Sequence, residues 1–130
     1  MESIKIINKN IIEKIIDDCQ KISKNESSSN ISIETVQNNP KRQIEKYMNS
    51  LSFHEQIDLY ALMFFGREIF ENGTEANLKL FIKSREQAAT LIEQNGFHAN
   101  YLTGKEKLAL YFNKSFKIYE ILDNSKGFKF

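Results

Sequence analysis

Tryptophan is missing from this 130-residue chain, proline and cysteine occur once each, and histidine occurs twice. Each scarcity removes a class of chemistry. A lone Cys19 rules out an internal disulfide and a zinc site built from thiolates. His54 and His98 stand far apart, with no H-E-x-x-H or E-x-x-H spacing, so no metal centre is expected. Five glycines sit singly at 66, 73, 96, 104 and 127, which leaves no G-x-G-x-x-G and no P-loop to cradle phosphates. No G-x-S-x-G elbow presents a serine nucleophile. A charge excess is also lacking. Eighteen basic residues face seventeen acidic ones, a net charge of +1. A dedicated nucleic-acid binder carries a clear basic excess, so that class ranks low. No segment approaches the roughly 18–20 apolar residues of a membrane span. The start, MESIKIINKNIIEKII, carries acids and does not read as a signal peptide. With one thiol, a reducing compartment and a cytoplasmic location are expected. No cofactor and no membrane partner are expected.

What remains is ordinary globular material. Apolar residues make up 41% and charged residues 27%. The length suits one domain, residues 1–130, which buries roughly 65–70% of the surface its unfolded chain exposes.

Periodicity points to an all-α fold, a compact bundle of about five helices. Asn8 or Asn10 caps a first helix to about Lys24, with Ile11, Ile12, Ile15, Ile16, Cys19 and Ile22 on one face. Cys19 reads there as a small core residue. Residues 4–7 read as an extended lead-in. A polar loop is expected near 25–38. Asn39 then caps a second helix, with Pro40 in its first position and Ile44, Tyr47, Met48 and Leu51 as its stripe. Ser52 and Glu55 form a capping box for a third helix, Phe53 to Glu71, closed by Asn72-Gly73. A seven-residue uncharged run, Leu59 to Phe65, makes this the central buried helix. Thr74 or a neighbour starts a fourth helix that buries Leu78, Phe81, Ile82, Ala88, Ala89, Leu91 and Ile92 and ends at Asn95-Gly96. Phe97, Tyr101 and Leu102 tuck into the core on a turn or short helix. Thr103 and Glu106 form a second capping box before a fifth helix, which runs to Leu122. The tail near 123–130 is expected to fray.

Helix three also holds the candidate site. Gln56, Tyr60, Met63 and Arg67 stack along one line at steps of four, three and four. Glu55, Leu59, Leu62 and Gly66 form the adjacent line. Gly66 inside a helix costs about 0.5–1 kcal/mol relative to alanine, so a crossing helix or a ligand backbone should come close there. Arg67 either pairs with a carboxylate or helix-end carbonyls, or recognises an anion through its planar fork. The candidate binding residues are Glu55, Gln56, Tyr60 and Arg67; none is assigned a catalytic role. Aromatics reach 12%, ten of them Phe. Any that the core does not absorb would mark a protein-binding surface.

The run L-S-F-H-E-Q-I-D-L-Y-A-L-M-F-F-G-R from Leu51 to Arg67, with Tyr101-Leu102-x-Gly104 and Leu108-x-x-Tyr111, resembles a family of small uncharacterised proteobacterial proteins, a domain of unknown function. The resemblance spans roughly residues 40–122. The family pattern is E-Q, A-L, an aromatic and G-R, then Y-L and a late L-x-x-Y. Phe64 stands where that family tends to carry Trp, and Glu68 where a second Gly is common. The resemblance implies that Glu55, Gln56, Gly66 and Arg67 share a structural feature. It implies no activity or cofactor. The leading functional expectation is a non-enzymatic, protein-binding or regulatory module that can self-associate as a homodimer. The alternative is a small enzyme or anion-binding protein with a cleft around Arg67.

Overall fold

The computed structural model describes residues 6–26 and 40–124. Their regular structure is entirely helical: α1 (Lys9–Glu26), α2 (Pro40–Asn49), α3 (Phe53–Asn72), α4 (Leu78–Asn95), α5 (Ala99–Thr103), α6 (Leu108–Ser115) and α7 (Lys117–Asn124). Of the expected loop near 25–38, residues 25 and 26 continue α1, and of the expected frayed tail, residues 123 and 124 continue α7; the rest of both lies outside the described residues.

α3 is the axle. The Ser52 side chain accepts from the Glu55 N–H while the Glu55 carboxylate accepts from the Ser52 N–H, at 3.2 and 2.9 Å. At the other end Gly73 adopts a left-handed φ of 65° and donates its N–H to the Ile69 carbonyl. Between these caps every residue from Asp58 to Gly66 is buried. A helix apolar all round must be enclosed. α4 and α6 supply most of that enclosure. Each large apolar chain buried here contributes about 1.5–3 kcal/mol. Gly66 marks the closest approach. A Cβ built there would fall 1.7 Å from the Tyr111 carbonyl oxygen, so α6 crosses directly over it.

α1 covers α2 and α6 with Ile12, Ile15 and Ile16. Cys19 is half-buried against the same core, and burial pushes its thiol up to about 11. Of the expected lead-in at residues 4–7, Ile6 and Ile7 are described and are non-helical, with Ile7 in the core; residues 4 and 5 lie outside the described residues.

Several local readings differ from the structure. α4 begins at Leu78, because Asn77 accepts from the Leu80 N–H at 2.8 Å while the Thr74 hydroxyl donates to Glu68 at 2.9 Å. Ile82 is 43% exposed, and Ser84 takes a buried place on α4. The Thr103–Glu106 box does not form; the Thr103 hydroxyl donates instead to Glu45 of α2 at 2.6 Å. The fifth helix divides at Phe116, where the Ser115 hydroxyl donates to the Phe112 carbonyl at 2.6 Å and competes with the helical ladder.

Candidate functional site

Among the described residues, the buried carboxylate is that of Asp58, at the start of the buried stretch. Asp58 accepts from Arg85 Nε at 2.9 Å and Arg85 Nη2 at 3.1 Å, a bidentate pair joining α3 to α4. Its Oδ2 also accepts from the Ile7 N–H at 2.8 Å. The Tyr119 hydroxyl donates to the Ile7 carbonyl at 2.8 Å, so the lead-in is clamped from both sides. Burial, with the Asp58 charge added, pushes the Tyr119 phenol up. Every oxygen of Asp58 is engaged inside the fold. The cluster ties the lead-in to α3, α4 and α7.

The outer side of the α3–α4 packing is different. Phe64 and Arg67, one turn apart on α3, form one wall of an open groove of about 610 Å³. Lys83, Gln87, Thr90 and Gln94, at steps of four, three and four on α4, form the other wall, with Glu86 and Leu91 beside them. Tyr101 of α5 closes one end. The Arg67 guanidinium lies over the Phe64 ring at 5.2 Å. Among the described residues it has neither a hydrogen bond nor an ion pair. Tyr101 is 37% exposed, edge-on to Tyr60 at 5.2 Å, and the Lys105 ammonium sits 4.4 Å from its ring centre. The expectation that Tyr101 tucks into the core is therefore corrected: Tyr60 and Phe97 already fill that space. Glu68 carries a pKa below the ordinary carboxylate value, held down first by hydrogen bonds from Asn72 and Thr74 and then by the charges of Arg67 and Lys83.

The four residues singled out from sequence part company here. Glu55 closes the capping box. Gln56 donates its amide to the Met48 and Asn49 carbonyls at 3.3 and 3.4 Å, stitching α3 to the end of α2. Tyr60 is buried; its hydroxyl donates to the His98 carbonyl at 3.1 Å and accepts from the His98 N–H at 2.8 Å. Only Arg67 lines the groove. The helical line through 56, 60 and 67 is real, but it passes from surface to core to surface as neighbours cover it. The α4 wall went unnoticed in the sequence, although 83, 87, 90 and 94 repeat the spacing noticed on α3. His54 and His98 do not meet a carboxylate cluster: among the described residues no group of three or more His, Cys, Asp or Glu is placed to hold a metal. No helix there is long and apolar enough to cross a membrane.

Fold and groove together define an all-α bundle of unknown function with an open groove lined by Phe64, Arg67 and Tyr101. The chain belongs to DUF3775, described as a protein of unknown function, whose family model matches residues 41–121. That match covers α2 to α7 up to Ile121, which includes the groove and the Gly66 crossing but not α1. No curated protein and no solved structure matches the chain.

Proposed function

We propose that this protein is a non-enzymatic binding module, working in a reducing cytoplasmic setting, whose ligand carries an anionic group into the α3–α4 groove. One observation carries the reading: a guanidinium 5.2 Å from the Phe64 ring centre, with no hydrogen bond or ion pair among the described residues, lining an open groove. Arg85 on α4, by contrast, is paired inside the fold with Asp58. Arg67 keeps its donors for something else. A groove of this size lies within the roughly 300–1,000 Å³ typical of ligand sites. Lys83 adds a second cation on the facing wall, and Leu91 and Phe64 add apolar surface.

The test is an amide NMR titration with benzoate and, separately, inorganic phosphate. Shifts are expected to cluster at Arg67, Lys83, Thr90 and Tyr101 and to vanish in Arg67→Ala. Shifts centred elsewhere, or undiminished by that substitution, would overturn the reading.

A further inference from the structure

We infer that the groove takes the free carboxy-terminal end of a partner polypeptide whose last residue is apolar. The inference rests on the groove being a binding site and names what it binds. The argument starts from Arg67. The Arg67 guanidinium carbon lies 5.2 Å from the Phe64 ring centre, and among the described residues no hydrogen bond or ion pair engages its N–H groups. A planar fork of this kind matches a carboxylate in bidentate fashion. Immediately beside it, Phe64, Leu91 and the half-open Tyr101 ring offer apolar contact. A carboxylate and an apolar side chain so close together are what a terminal Leu, Ile, Val or Phe presents on a single Cα.

The wall charges narrow the ligand further. Arg67 and Lys83 line the groove with Glu86, and Glu68 lies close enough to both cations to feel their charges. Two cations with two carboxylates nearby leave little for a multiply charged anion and suit at most a monoanion. A polyphosphate or nucleic-acid backbone needs several cations and would meet the Glu86 charge. Gln87, Thr90 and Gln94 are exposed at successive turns of α4. Each carries both a donor and an acceptor, which is what an incoming backbone with alternating N–H and C=O groups requires. A free amino-acid-sized anion would leave this half of the wall unused.

The experiment uses fluorescence anisotropy with labelled tetrapeptides ending in Leu, Ile, Val, Phe or Ser. Each is made as the free acid and as the C-terminal amide, and is tested on the full chain. At least one apolar-ended free acid is expected to bind, about tenfold or more tighter than its amide and than the Ser-ended acid. Arg67→Ala should erase the acid–amide difference, and Arg67→Lys should recover part of it. Circular dichroism on both variants checks that they are folded. Equal binding of acids and amides, or no binding by any peptide, overturns the inference. Inorganic phosphate displacing a bound peptide better than acetate would also overturn it, in favour of a phosphate site. If the peptides fail while benzoate still shifts the groove amides, the binding site stands and only its assigned ligand falls. If both fail, the binding reading falls with it.

Discussion

Gly66 shows what a single hydrogen in place of a methyl group permits. The Tyr111 carbonyl occupies the space a Cβ would need, so no rotamer change can relieve a substitution. Gly66→Ala is expected to destabilise by about 1–3 kcal/mol or more through overpacking, although alanine is the better helix former. Urea denaturation would measure it, and an unchanged midpoint would remove the close-crossing argument. Asp58 is the opposite case, a polar group the core needs. Asp58→Ala removes the bidentate acceptor of Arg85 and the acceptor of the Ile7 N–H at once. Removing one partner of a buried pair typically costs about 3–5 kcal/mol, and the partial exposure of Arg85 places the expected loss toward the lower figure. Equilibrium unfolding of Asp58→Ala against Asp58→Asn would separate the charge from the hydrogen bonds. Nothing in the sequence distinguished Asp58, which reads as one more acid beside the apolar run.

Elements were legible where their signals are local. The Ser52–Glu55 box, Pro40 at a first helical turn, and Gly73 after α3 all act within a few residues, and each stands where sequence reasoning put it. Signals of equal local strength failed where a distant partner offered more. Thr103 had the box spacing but gives its hydroxyl to Glu45, 58 residues away. Thr74 likewise serves the end of α3 instead of opening α4. That joint carries a pH signature. The Glu68 carboxyl titrates below its ordinary 4.5, chiefly because Asn72 and Thr74 donate to its charged form. A depressed folded pKa favours folding above the ordinary value, and the benefit disappears as pH falls through the folded one. The melting-temperature gap between the native chain and Glu68→Gln should therefore be open at pH 7 and narrow from about pH 4.5 downward. A gap that persists at pH 3 would mean that the carboxylate charge is not its source.

At the scale of the whole molecule, stability is concentrated in α3, which α4 and α6 enclose. Hydrogen exchange should show the amides of residues 59–65 opening only with global unfolding, while α5 and α7 open at lower free energy. Exchange of 59–65 at the rate of the α7 amides would contradict the axle role. The groove is also a whole-molecule property. Phe64 and Tyr101 are far apart in sequence and meet only because Tyr60, gripping the backbone of His98, brings α5 against α3.

The sequence alone determined the all-α class, the central place of α3 and the need for a close approach at Gly66, which the structure assigns to α6. Those follow from helical periodicity, capping chemistry and the absence of a Cβ, which act along one segment. Tertiary structure alone decided which polar groups are consumed and which are left to work. Gln56 and Tyr60 were drawn into the fold because α2 and the α4–α5 turn came within hydrogen-bonding reach, and Arg67 was left facing outward because no carboxylate among the described residues did.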